Sequence, residues 1–155
     1  MQTDKINTIV KELLEKTSFH VEEVSSVFNA DDGSMWFSVK TNEPHLFLGR
    51  EGESLMALNH LAKKLIDGAA VEGEVMPDVT IDVNEYQKKK NDNLKTIAHM
   101  MAERAKFFKS SVEIDPMSAY ERKVVHTFLQ NVPNIKTESV GEGRDRRVVV
   151  KYIEQ

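Results

Sequence analysis

Cysteine is absent from the 155-residue chain, which excludes disulfides, thiolate metal ligands and a cysteine nucleophile. A reducing cytoplasm is the compartment that this composition fits. No apolar run approaches the roughly 18 residues needed to span a membrane, and no basic-then-apolar leader opens the sequence. Membrane insertion is therefore not expected. Neither a Ser/Pro-rich linker nor an internal repeat interrupts the chain, and it contains no P-loop and no paired-carboxylate metal motif. His20, His45, His60 and His99 share no spacing with a carboxylate that suggests metal ligation, so no cofactor is expected.

What is present is charge, and it is unevenly placed. The net charge is −4, but residues 1–83 hold 7 Lys/Arg against 15 Asp/Glu, whereas residues 84–155 hold 14 against 10. An acidic front half of −8 and a basic back half of +4 suggest two modules with different surfaces.

The hydrophobic rhythm supports that division. Ile6, Ile9, Val10, Leu13 and Leu14 follow the spacing of one buried helix face. Phe19–Phe28 is β-rich, "NADDG" is a turn signal, and Met35, Phe37 and Val39 alternate with polar neighbours, which predicts a hairpin. A short helix from Pro44 and a second one carrying Leu55, Leu58, Ala62 and Ile66 flank Gly49 and Gly52, and Val79, Ile81 and Val83 read as a strand. The order is α-β-β-α-α-β over residues 1–83. From residue 84 to 155, Asn84 is placed to cap a long helix whose inner face includes Ile97, Ala98, Met101, Ala102, Ala105 and Phe108. Ser111–Ile114 reads as a short strand. Ser118-x-x-Glu121 is a capping-box signature that starts another helix, with Val124, Val125, Phe128 and Leu129 as its buried stripe. Two strands, Ile135–Val140 and Arg146–Ile153, close the chain. The fold class is α+β.

Three groups of residues carry candidate chemistry. The tetrapeptide Gly49-Arg50-Glu51-Gly52 at a helix start either lets a sugar–phosphate backbone approach closely or is an ordinary loop between helices. Arg122 and His126 are spaced i, i+4 and fall on the solvent-side shoulder of the expected helix stripe. They are either a phosphate fork with a base-contacting imidazole, or a snorkelling arginine with a packing histidine. Lys88, Lys89, Arg144, Arg146, Arg147 and Lys151 supply a positive surplus of the kind that phosphate binding requires.

Arg122-x-x-x-His126 within "PMSAYERKVVH" resembles the R-x-x-x-H motif of a small domain family, and "HLFLGREGESLMALNHL" resembles the G-x-x-G helix-turn-helix of a type II KH domain. A KH domain (1–83) followed by an R-x-x-x-H domain (84–155) is similar to the bacterial Jag family of SpoIIIJ-associated RNA-binding proteins. The likeness covers essentially the whole chain and is specific around residues 44–66 and 113–150. The N-terminal Jag domain of many members has no counterpart in this sequence. The resemblance implies single-stranded nucleic acid as ligand, chiefly RNA with single-stranded DNA as a variant. It also implies an RNA chaperone or post-transcriptional regulator, links to cell shape and envelope synthesis, and a small KH-domain protein or a second copy as partner through the KH domain. Gly49, Arg50, Glu51 and Gly52 would face the nucleotide backbone, and Arg122 and His126 would be the signature pair. Glu51 departs from the basic or neutral residue that KH loops often carry, and an acid aimed at phosphate opposes binding.

The expected function is capture of single-stranded RNA without catalysis. Two other classes remain beside it. A nuclease would use Glu121 and His126 as acid and base, against which Glu121 is better explained as a capping residue. An adaptor would use the acidic KH half to bind a protein rather than RNA.

Overall fold

The computed structural model describes residues 2–154 and divides the chain into two compact units, Met1–Gln87 and Lys88–Gln155.

In the first unit the elements run α1 (Gln2–Lys16), β1 (Glu23–Asn29), β2 (Ser34–Lys40), α2 (Pro44–Leu48), a 3₁₀ turn (Arg50–Gly52), α3 (Glu53–Gly68) and β3 (Val79–Val83). The hairpin pairs Glu23 with Lys40 through Asn29 with Ser34, antiparallel. Its tight turn closes by Gly33 N–H donating to the Asn29 carbonyl at 2.9 Å, with Gly33 at φ 70°, where a side chain would be strained. Strand β3 joins β2 in parallel, so β2 is central and the sheet order is β1-β2-β3. Met35, Phe37 and Val39 point from β2 into a core shared with Ile6, Val10, Leu55, Ala62 and Ile66. Asn59 on α3 locks helix to sheet: its amide donates to the Ile81 carbonyl at 2.9 Å and accepts from Ile81 N–H at 2.7 Å. The β-rich run yields a strand only from Glu23; Phe19 instead packs edge-on against Phe47, ring centroids 5.0 Å apart.

Helix α4 spans Tyr86–Phe108. Asn84 does not cap it. Its side chain turns back to Thr41, accepting from the backbone N–H at 3.0 Å and donating to the carbonyl at 2.9 Å. The buried Asp82 carboxylate takes over, accepting from the Gln87 N–H at 2.7 Å, because it lies where the exposed first-turn donors converge.

The second unit continues with β4 (Val112–Glu113), α5 (Ala119–Leu129), β5 (Ile135–Val140), a 3₁₀ turn (Gly143–Asp145) and β6 (Arg147–Tyr152). Its sheet is antiparallel in the order β4-β6-β5. The capping box forms as the sequence predicts: Ser118 Oγ accepts from Glu121 N–H and the Glu121 carboxylate accepts from Ser118 N–H. Ala98, Ala102 and Ala105 present a small-residue stripe to a core that includes Val125, Leu129, Ile114, Val148 and Val150. Successive helical residues turn by about 100°, and this stripe is narrow. Ile97 and Phe108, expected inside, therefore stand exposed.

Candidate nucleic-acid interface

The glycine loop is a built turn in which three of four residues have positive φ. Gly49 sits at φ 62°, ψ −156°, a conformation essentially reserved for glycine, and a Cβ there would collide with Ser54 Oγ. Gly52 caps α3 at φ 80°, and a Cβ there would press to 2.9 Å on the Tyr86 ring. Glu51 occupies the left-handed region at φ 53°, ψ 27° without being glycine, which costs about 1 kcal/mol or more. Gly49, Arg50 and Glu51 line the outside of the turn, whereas Gly52 is buried. The first three can meet a ligand, and Gly52 shapes the turn from beneath.

In the second unit Arg122, Val125, His126 and Leu129 are spaced i, i+3, i+4, i+7, and this line is the inner face of α5. Arg122 and His126 thus face the sheet rather than the solvent-side shoulder, while Phe128 is exposed and Val124 half-buried. His126 Nδ1 lies 2.7 Å from Thr137 Oγ1 and Nε2 lies 2.8 Å from Ser139 Oγ. A neutral imidazole satisfies this pair by donating to one hydroxyl and accepting from the other. Burial first, and then the neighbouring Arg122 guanidinium, push the His126 pKa below its usual value of 6.5, so the ring is neutral at pH 7. Thr137 and Ser139 were missed from sequence. The available signal was their alternation with Ile135, which turns two hydroxyls inward, where they need partners.

The basic residues divide sharply. Arg147 forks onto Glu113, Nε to Oε2 at 2.9 Å and Nη2 to Oε1 at 3.3 Å, and the carboxylate raises its pKa further. Lys151 pairs with Glu138. These two ion pairs flank the largely covered Val149, and they neutralise this face of the sheet. Arg144 and Arg146 lie on the exposed β5–β6 loop and form no salt bridge among the described residues; Arg146 donates to the Gly141 carbonyl at 3.2 Å. Met117 joins this loop to the signature helix. Its carbonyl accepts from Arg122 Nη1 at 3.0 Å, and its N–H donates to the Arg146 carbonyl at 3.2 Å. Lys88 and Lys89 are exposed on α4, and the adjacent Lys90 pairs with Glu121 at 3.4 Å, tying the lysine run to the start of α5. The arrangement offers cations and a hydrogen-bonded imidazole. Among the described residues, no cluster of three His, Asp or Glu side chains is placed to hold a metal ion, and no helix is long and apolar enough to cross a membrane.

A domain of known type covers this cluster. Residues 92–152 match the R-x-x-x-H domain, so the second unit carries a domain of that family, and Arg122 and His126 lie within it. Across 147 residues, 95% of the chain, the sequence is 26% identical to "RNA-binding protein KhpB" of Clostridium symbiosum, covering 64% of that protein. It is 32% identical over 109 residues, 69% of the chain, to the protein of the same name from Bacillus subtilis (strain 168), covering 51% of it. The corresponding protein of Streptococcus pneumoniae serotype 2 (strain D39 / NCTC 7466) is 32% identical over 117 residues, 76% of the chain and 35% of that protein. The chain is homologous to these RNA-binding proteins and spans about half to two thirds of the length of the first two.

Proposed function

We propose that the chain captures single-stranded RNA, chiefly through its second unit, and performs no chemistry on it. The observation that carries this reading is the exposed, unneutralised Arg144–Arg146 loop, hydrogen-bonded through Met117 to the Arg122 helix inside the R-x-x-x-H domain. That loop offers arginine forks for phosphate oxygens, and the positive surplus around it favours a polyanion. The names of the homologues support RNA as the ligand. Lys88, Lys89 and Arg122 belong to the same basic surface in this reading. Arg147 and Lys151 contribute less, because each is already paired with a carboxylate. His126 positions the surface rather than touching RNA.

We read the first unit as a type II KH domain, on its α-β-β-α-α-β order, its parallel β2–β3 pair and the glycine loop between α2 and α3. The Jag-like resemblance extends the reading to an RNA chaperone or post-transcriptional regulator connected with envelope synthesis. The acidity of the first unit favours a second role for it, as a docking module for a protein partner such as another small KH protein.

Anisotropy titration of a labelled single-stranded RNA at several salt concentrations tests the capture. Log affinity should fall linearly with log salt, with the RNA left uncut. Arg144→Gln with Arg146→Gln should flatten the slope by about 0.7 for each phosphate no longer neutralised, whereas Arg147→Gln with Lys151→Gln should change it less. A flat slope in the parent protein contradicts phosphate contact as the driving force.

Glu51 separates strain from charge. Glu51→Gly should raise the stability of the first unit by about 1 kcal/mol, because glycine adopts the left-handed conformation without a Cβ clash. Glu51→Lys retains the strain but replaces repulsion with attraction, and should tighten RNA binding about threefold, a gain of well under 1 kcal/mol. Thermal melts and the same titration read the two effects independently.

A further inference from the structure

The C-terminal end of α4 carries two phenylalanines that no core claims. Phe107 is 81% exposed and Phe108 61%, in a unit whose other large apolar side chains mostly pack inward. Their rings meet edge to face, with centroids 5.0 Å apart and planes at 86°, so they form a pair and not two separate projections. Burial does not account for them, and exposing two phenyl rings side by side is unfavourable unless something covers them in use.

The helix end that holds them is fixed in place. Ser110 N–H donates to the Ala105 carbonyl at 3.2 Å and Lys109 N–H donates to the Lys106 carbonyl at 3.4 Å, the two closing bonds of a Schellman turn. Glycine is usual at the left-handed position of such a turn. Here it is Lys109, at φ 48°, so a cation is kept at a strained position directly beside the rings in sequence. Arg104 lies one turn earlier, three residues before Phe107 and four before Phe108, and therefore between them on the helix surface. Arg104 and Lys109 are exposed, and neither forms a salt bridge among the described residues. Residues 88–155 hold 14 Lys/Arg against 9 Asp/Glu, a surplus of +5 that favours a polyanionic occupant.

We propose that Phe107 and Phe108, with Arg104 and Lys109, form a second contact for single-stranded RNA. Bases stack on the phenyl faces and the two cations meet the adjacent phosphates. Stacking on phenylalanine suits every base, so this contact adds affinity without sequence preference. The proposal rests on the reading of the second unit as the RNA-capturing unit, and gives it a base-stacking element that the Arg144–Arg146 loop lacks.

The test uses the intact protein and a labelled single-stranded RNA of mixed sequence, titrated at several salt concentrations. Phe107→Leu with Phe108→Leu keeps apolar bulk but removes the π faces. It should weaken binding about tenfold while leaving the salt slope and the melting temperature unchanged. Lys109→Gly should do the opposite in two respects, raising the melting temperature by relieving the turn and flattening the slope by about 0.7. Photocrosslinking with 4-thiouridine RNA should mark the peptide that contains Phe107 and Phe108. Salt-dependent binding by the parent protein, with the leucine variant within twofold of it, overturns the stacking contact alone. A leucine variant that loses self-association but not RNA affinity assigns the face to a second copy of the chain and likewise overturns it. No salt-dependent binding by the parent protein removes both this contact and the function on which it rests.

Discussion

His126→Ala should lower the melting temperature of the second unit by about 10–15 °C. The substitution removes two hydrogen bonds, to Thr137 at 2.7 Å and to Ser139 at 2.8 Å, and leaves both half-buried hydroxyls without their partner. Each net bond is worth about 1 kcal/mol, and stranding the hydroxyls adds to that, for a total of about 2–3 kcal/mol. In a unit of this size 1 kcal/mol moves the midpoint by about 4–8 °C. Arg122→Ala should cost less, about 1 kcal/mol, because a single bond to the Met117 carbonyl is removed at a half-buried site. The expectation from sequence alone, that the pair can be truncated with the fold intact, does not survive this geometry.

The same residue sets a pH signature. Its folded pKa lies below the unfolded value near 6.5, so the unfolded state binds the proton first as pH falls. The stability contributed by the neutral ring is complete above pH 6.5 and declines as pH drops from there towards the folded pKa. Melts between about pH 7.5 and 5.5 should show the second unit losing stability in this window. His126→Ala should erase that portion of the pH dependence. A flat profile in the parent protein would mean that the ring titrates as it does in an unfolded chain.

Much of the architecture was legible because local signals agreed with one another. The period-two run Met35–Phe37–Val39, the turn at Gly33, the helical spacing of Ile6, Val10 and Leu13, and the Ser118–Glu121 box each form as their spacing suggests. The failures arose where a tertiary partner outweighs a local pattern. Asn84 has the right residue type for a cap, but Thr41, distant in sequence, claims its side chain, and Asp82 does the capping. On α5 the apolar residues suggested a stripe through Val124 and Phe128. Two hydroxyls on β5 instead draw the polar His126 inward and rotate the buried face towards Val125 and Leu129. The charge pattern was visible, but its pairing was not. Nothing in the sequence separates Arg147 and Lys151, which find carboxylates across the sheet, from Arg144 and Arg146, which do not. Phe108 reads as core by its spacing, and it stands in solvent with Phe107 because the alanine stripe packs too closely to admit them.

The second large effect expected is a division of labour between the units. Residues 1–87 hold 7 Lys/Arg against 16 Asp/Glu, while residues 88–155 have a surplus of +5. Attraction of a polyanion follows the local potential. Among the described residues, the exposed arginines outside ion pairs all lie in the second unit apart from Arg50, which is flanked by Glu51 and Glu53. Residues 88–155 should therefore retain RNA affinity within about fivefold of the intact chain, a difference of about 1 kcal/mol. Residues 1–87 should bind at least about a hundredfold more weakly, as expected for a surface that repels phosphate at most points.

Each unit has its own buried core, centred on Phe37 and Ile81 in one and on Ala102 and Val150 in the other, so the two can be prepared apart. The decisive measurement is a titration of the same single-stranded RNA with residues 88–155 and with residues 1–87, side by side at physiological salt. Near-full affinity in the basic unit with weak binding by the acidic one is the expected result. Tight binding by residues 1–87, with little by residues 88–155, would contradict RNA capture by the arginine loop and its helix.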